Sequence, residues 1–408
     1  MNSSDTARPV IDRGRTRGLA LGLIGFIALI IVGLIDSHKS DSIGWQHFFQ
    51  SYIFAYIFWF AIAMGSLSLL MIHHMTGGWW GYPLRRIFEA SSRTIWFLAI
   101  LFLPVLVVGA SPSQQVYPWT QPGRIPDDVL SHFKHVYLQR GFFTVRAVIY
   151  FAIWITIAYF LNKWSAEQDR TGDPRLKERM TQLSAPGLVI YALTISAAVI
   201  DWVMSLEPDW FSTIYGMIFM SIGLLTGMAF SVVVLRRLFD YEPLKNSVEP
   251  KRFIDMGNLM LTFLILLTYT SFSQFLIIWS GNLKNEIPWY MVRAFGGWGV
   301  VGAMLLLFHF FIPFFLLLQR KIKGRLRTLA MVSAWFLVIS LLDVYWIVVP
   351  AYEQSGPHFR FLDVCAVIGI GGLWVAAFFG QLKKFPLLPL HDSRFEGVKS
   401  VMEHQHGD

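Results

Sequence analysis

Very few side chains in this sequence could hold a charge or a proton inside a membrane. Within its long apolar runs stand Arg146, Asp201 and Asp343, accompanied by the polar residues Gln274, Tyr269, Ser271, Tyr215 and His309. An ionisable group at the middle of a membrane span costs about 2.5–3.5 kcal/mol on insertion scales, so each is a candidate for function by default. Carboxylates, an imidazole, phenols and hydroxyls at successive depths have the chemistry of a proton path, or of the polar end of a site for a quinone headgroup. The competing reading is helix glue: an aspartate near a span's end pairs with Arg146, and hydroxyls bond back to helical carbonyls. No catalytic residue and no metal ligand is assigned.

Composition explains why these positions must lie in a membrane. Of the 408 residues 55% are apolar and only 15% are Asp, Glu, Lys or Arg, against roughly a quarter charged in ordinary soluble proteins. Apolar runs long enough to cross a hydrocarbon core of about 30 Å recur along the chain. They predict ten spans, near 18–36, 48–73, 93–110, 142–162, 186–206, 211–235, 256–280, 295–319, 327–350 and 363–382. All are expected to be helices, because open sheet edges cannot exist in lipid. The fold class is therefore an all-α polytopic membrane protein. Met1–Arg17 carries four arginines like the start of a signal peptide, but the first run is a full span and no small-residue cleavage site follows it.

The net charge of +8 reads as an orientation signal. With these spans, 26 of the 34 basic residues fall on the side of the two termini and 7 on the other, which predicts both termini in the cytoplasm. The longest loop, 111–141, then faces outward, and its Tyr117-Pro118-Trp119 predicts an ordered cap with a partner docking on it, or else a loop closing over its own helices. Counted from the predicted span ends at about 1.5 Å per residue, Asp201, Asp343, Arg146 and Gln274 share an outer layer. Tyr269 lies nearer the centre and His309 at or below it.

Histidines and the single cysteine, Cys365, limit the redox chemistry. One cysteine excludes a disulfide framework and a cysteine-ligated cluster. A membrane haem usually needs two facing histidines, and only His309 is deep, so the chain is expected to bind no cofactor of its own. His73-His74 adjoins Arg85 and Arg86 and reads as a solvated face rather than a metal site.

A repeat is written into two spans. Ser51-Tyr52-Ile53-Phe54-Ala55-Tyr56-Ile57-Phe58 opens the second and Ser212-Thr213-Ile214-Tyr215-Gly216-Met217-Ile218-Phe219 the sixth. Both run in the same direction, so spans 2–5 and 6–9 are expected to be parallel repeats about an axis along the membrane normal. Span 5 then corresponds to span 9, and each holds an aspartate near its outer end, Asp201 and Asp343. The expected division is a tail (1–17), a peripheral span with its loop (18–47), a first four-helix bundle (48–206), a second (207–350), a peripheral last span (351–382) and a tail (383–408).

Three segments carry a family likeness. They are Glu207-Pro208-Asp209-Trp210-Phe211-Ser212-Thr213-Ile214-Tyr215-Gly216, Ser271-Phe272-Ser273-Gln274-Phe275-Leu276-Ile277-Ile278-Trp279-Ser280-Gly281-Asn282-Leu283 and Leu307-Phe308-His309-Phe310-Phe311-Ile312-Pro313-Phe314. The chain resembles the second, smaller NrfD-like (polysulfide-reductase-like) integral membrane subunit, the F subunit, of bacterial alternative complex III, a quinol:cytochrome c oxidoreductase. The resemblance implies ten transmembrane helices in two four-helix bundles related by a pseudo-twofold, plus two peripheral helices. It implies membership of a respiratory electron-transport complex that oxidises quinol and passes electrons to cytochrome c or a similar carrier. The implied partners are a larger NrfD-like subunit that holds the quinol site, a periplasmic multihaem cytochrome c, an iron–sulfur subunit, a monohaem cytochrome c and small membrane-anchored subunits. Haem c and the iron–sulfur clusters are expected in those partners. For this chain it implies proton translocation along Asp201, Tyr215, Gln274, His309 and Asp343. Two other readings compete: a quinol pocket within this chain with Asp201 as its base, and a secondary transporter built on the repeats, which lacks broken midspan helices in matching halves.

Overall fold

The structure is a computed structural model that describes residues 7–39, 43–110, 116–123 and 131–391. All regular elements among them are helices, and ten are long and apolar enough to cross a membrane. We number these α1 (Arg8–Lys39), α2 (Ile43–Thr76), α3 (Arg85–Gly109), α4 (Arg140–Thr171), α5 (Pro174–Trp202), α6 (Tyr215–Leu238), α7 (Lys251–Gly281), α8 (Gly296–Leu318), α9 (Leu326–Val348) and α10 (Phe361–Leu382). The chain is a multi-pass all-α membrane protein. Asp12 and Lys383 form an ion pair at 2.7 Å, so α1 begins where α10 ends; we call this the terminal side and the opposite one the far side.

Helix ends follow local chemistry. The left-handed Gly172 (φ 69°) stops α4, and Asp173 then caps α5, accepting from the Arg175 N–H with Pro174 in the first turn. Several helices run past the apolar windows, because charged turns outside the lipid continue them. Pro104 and Pro313 lie at the edges of two widened, π-helical turns, Val105–Gly109 in α3 and Leu306–Phe311 in α8. Pro313 has no N–H to offer the His309 carbonyl, so the regular ladder cannot pass through this point.

Packing reproduces the repeat. In one bundle α2 lies against α3 and α5, and α4 against α3 and α5; in the other α6 lies against α7 and α9, and α8 against α7 and α9. The bundles join through α2 on α6, with α5 against α6 and α9 against α2 on either side. Exchanging α2 with α6, α3 with α7, α4 with α8 and α5 with α9 maps these contacts onto one another, as a pseudo-twofold requires; an extra contact of α3 with α6 is the departure from it. Where α2 meets α6, a Cβ on Gly65 would stand 1.7 Å from the Gly223 carbonyl oxygen. Lipid tails provide no hydrophobic drive between helices, so this backbone contact depends on glycine.

Helices α1 and α10 pair with each other outside the bundles. A Cβ on Gly372 would lie 2.3 Å from the Gly22 nitrogen, the close approach of a small-residue seam. Ser51 on α2 donates to Asp363 on α10 at 2.6 Å, and the Trp59 indole donates to the Val367 carbonyl. These bonds fasten the pair to the first bundle.

Candidate functional site

The polar residues divide between the bundles instead of forming one outer layer. In the first, Arg146 on α4 donates from Nε to Asp201 Oδ2 at 2.8 Å and from Nη2 to Oδ1 at 2.9 Å. Tyr150, one turn further along α4, donates to the same Oδ2 at 3.0 Å. The remaining Arg146 nitrogen reaches the Tyr137 carbonyl, and the guanidinium lies 3.8 Å from the Tyr137 ring centroid and 4.4 Å from that of Phe142. Burial, with the Asp201 carboxylate adding to it, pushes the Tyr137 phenol up to about 12. Asp201 is wholly buried, and both its oxygens are taken. A sealed bidentate pair of this kind holds helices together.

Described residues of the far-side loop close over this bundle. Tyr117 and Trp119 are buried, pack edge-on and tilted against Phe143, and donate to the Trp202 carbonyl and the Ser205 hydroxyl, respectively. Their aromatic rings point inward, onto the bundle. Residues 111–115 and 124–130 of the expected cap lie outside the described residues.

A second polar cluster, on the terminal side of the same bundle, corrects the expectation of a solvated face. Arg85 and Arg86 are buried, as are His73 and His74. Glu89, wholly buried, accepts from Arg85 at 3.0 Å, Arg86 at 2.6 Å, Arg93 at 3.3 Å and the Ser165 hydroxyl at 2.6 Å. Arg86 also pairs with Asp169 on α4, whose other oxygen accepts the Leu390 N–H at 3.1 Å. Mutual neutralisation lets α3 start at Arg85 instead of near residue 93. The pattern was present in the sequence, since Glu89 has arginines four and three residues before it and four after, all within reach on a helix.

The second bundle holds a cavity of about 700 Å³ between α7, α8 and α9 and the short far-side helix Ile287–Ala294. Its polar atoms come from several elements. His309, in the widened turn of α8, meets Asp343 Oδ2 through Nδ1 at 3.4 Å and the Ser340 hydroxyl through Nε2 at 3.3 Å. Sequence counting set His309 a step below Asp343; the structure makes them neighbours. Gln274 on α7 accepts from the Ser212 hydroxyl at 2.7 Å and donates to the Tyr290 oxygen at 3.2 Å. Burial pushes the Tyr290 phenol up to about 12, so it remains a neutral hydrogen-bonding group at physiological pH.

Arg293 supports one wall. It is buried, bonds Glu207 at 2.7 and 3.2 Å and three backbone carbonyls, and stacks 3.9 Å from the Trp289 ring centroid. Sequence reasoning counted Arg293 only as a loop charge and read Glu207 as part of a structural hairpin. The signal available was the aromatic pair Trp289-Tyr290, four and three residues before it and so one helical turn away. Tyr215 and Ser271 line the cavity as well. Tyr269 does not: it is exposed on the outer face of α7, which removes it from the candidate path. Among the described residues no group of three or more His, Cys, Asp or Glu is placed to hold a metal ion.

In each bundle, then, the aspartate of the fourth helix faces a basic residue of the third: Asp201 is hydrogen-bonded to Arg146, and Asp343 stands 3.4 Å from His309. The first pair is closed. The second lines a cavity and joins a group that can change its protonation to one that can pass a proton on. No family model and no curated protein matches the chain.

Proposed function

We propose that this chain is an integral membrane subunit of a quinol-oxidising respiratory complex of the alternative complex III kind, and that it contributes a proton path through its second bundle. The observation that supports this reading is convergence. The three segments that carry the family likeness are far apart in sequence, yet Tyr215, Gln274 and His309, one from each, line the same cavity. The imidazole of His309 stands between a carboxylate and a hydroxyl, Asp343 and Ser340. Such an imidazole relays a proton by accepting at one nitrogen and releasing from the other. Arg146, Asp201 and Tyr150 brace the first bundle in this account and conduct nothing. Electrons travel on haem c and iron–sulfur clusters of partner subunits to cytochrome c or a similar carrier, and the termini face the cytoplasm of the inner membrane.

Asp201 as the base of a quinol pocket finds no support, because its oxygens are both engaged by Arg146 and its side chain is wholly buried. The proton reading is tested with Asp343→Asn, which keeps shape and removes the carboxylate. In the assembled complex reconstituted in vesicles, we expect quinol oxidation to continue while protons moved per electron fall to the number released by quinol chemistry alone. An unchanged ratio in the variant would sink the proposed path.

A further inference from the structure

Basic residues on the terminal side stand among acidic ones except at one hairpin. Glu89 answers the arginines of α3, Asp240 and Glu249 pair with Arg236 and Arg252 between α6 and α7, and Asp12 pairs with Lys383. Glu167, Asp173 and Glu178 are interspersed with the bases between α4 and α5. The hairpin from α8 to α9 instead carries Arg320, Lys321, Lys323, Arg325 and Arg327, and residues 287–342 contain no Asp or Glu. Lys323 turns inward, is buried, and donates from Nζ to Asn258 Oδ1 at 2.6 Å, which fixes the hairpin on α7. The other four are exposed, and among the described residues none of their side chains has an acid or a hydrogen-bonding partner. We propose that this hairpin binds the phosphate of an anionic phospholipid, whose acyl chains lie along the outer faces of α8 and α9.

Charge supplies the head of the site. Three of the four exposed bases are arginines, whose planar guanidinium bonds a phosphate through two N–H groups at once. Arg325 is the N-cap of α9 and Arg327 lies in its first turn, so both cations stand at the positive end of a helix dipole, which favours an anion beside them. Apolar surface supplies the rest. Arg327, Met331, Trp335 and Val338 follow one another at spacings of four, four and three along α9, and all are exposed. One helix face therefore runs from a cation into surface that suits hydrocarbon. On α8 the exposed Phe311, Phe315 and Leu318 form a second stripe that ends two residues before Arg320. The Trp335 indole crosses between the helices and donates to the Phe308 carbonyl at 2.8 Å, which joins the stripes. From Leu326 to Trp335 is about 14 Å at 1.5 Å per residue, close to half of a hydrocarbon core of roughly 30 Å. A free phosphate would use the bases and leave this surface unused, so the fit is to a lipid. Such binding needs only that the helices span a bilayer and is independent of the respiratory reading above.

The test places the full chain in phosphatidylcholine nanodiscs with a trace of phosphatidylglycerol carrying a diazirine in one acyl chain, and maps the photolabelled peptides by mass spectrometry. Labelling is expected to concentrate on residues 311–318 and 331–338, to be competed by unlabelled phosphatidylglycerol, and to resist an excess of inorganic phosphate. Each Lys or Arg beside an anionic membrane contributes roughly fivefold in affinity. Removing four together, with Arg320→Gln, Lys321→Gln, Arg325→Gln and Arg327→Gln, should therefore lower the enrichment about tenfold or more. Basic residues also orient a membrane chain. If the fourfold variant inserts wrongly, Arg325→Gln with Arg327→Gln takes its place, with an expected loss of roughly fivefold or more. In each case a control removes the same number of charges from between α6 and α7, among Arg236, Arg237, Lys245 and Lys251, and should leave the labelling unchanged. Several results would overturn the site: labelling spread evenly over lipid-facing segments, equal labelling by a phosphatidylcholine probe, or competition by inorganic phosphate. Indifference to the hairpin variant that inserts, or an equal loss in its control, would do the same.

Discussion

Glu89→Ala is expected to keep the protein from accumulating in the membrane in folded form. The substitution takes away the carboxylate shared by Arg85, Arg86 and Arg93 and the acceptor of Ser165, and all these groups stay buried. Removing one partner of a buried ion pair costs about 3–5 kcal/mol, and here three cations lose a partner at once. Net stabilities of folded domains are roughly 5–15 kcal/mol, so the loss approaches the whole. Glu89→Gln keeps the shape and an acceptor oxygen, and should fall between parent and alanine. Gel filtration of a fluorescent fusion extracted in mild detergent reads the result. A sharp, parent-like peak from Glu89→Ala would mean that the cluster is dispensable.

The second large effect is expected at the Arg146–Asp201 pair, where the double variant separates a brace from a conduit. Asp201→Ala leaves the guanidinium with ring faces and the Tyr137 carbonyl, at a cost of about 3–5 kcal/mol. Replacing both partners, Arg146→Met with Asp201→Leu, removes the uncompensated charge and should restore most of the melting temperature lost in the single variant, since apolar replacements of buried pairs are often neutral or stabilising. In the assembled complex the repaired variant should also retain proton movement. A double variant as unstable as Asp201→Ala would show that the pair is not the unit that matters. One that is stable but no longer moves protons would return Asp201 to the path.

The spans were legible because hydrocarbon solvent imposes one pattern, long apolar runs with internally bonded backbone. The repeat was legible for a related reason: α2 and α6 are the central pair and are buried along most of their length, so their opening strings are constrained on all sides. What could not be read was which polar residues meet. Depth along a span locates a side chain in one dimension, and the partner is set by rotation and tilt. On α7 the buried stripe runs through Leu267, Thr270, Gln274 and Ile278; Ser271 lies beside it and reaches the cavity, whereas Tyr269, five residues before Gln274, is turned about 140° away. That rotation was present in the sequence but was outweighed by the expectation that a polar residue in a span faces inward. Arg85 and Arg86 were misplaced because basic residues near a span's end ordinarily mark solvent, and only the interspersed Glu89 betrayed their burial. Arg293, Tyr290 and Glu207 belong to far-side connections whose inward fold follows from tertiary packing, hinted at only by the aromatic pair Trp289-Tyr290.

The family likeness and the cavity meet in one claim, that this chain works as a cofactor-free subunit among haem-bearing partners. It is tested most directly by purifying the tagged full-length chain from native membranes in mild detergent and recording the reduced-minus-oxidised spectrum of the eluate. The account predicts c-type haem absorbance in constant ratio to the chain, lost when the complex is dissociated. A well-folded chain that elutes without haem, from membranes in which c-type cytochromes are abundant, would contradict it.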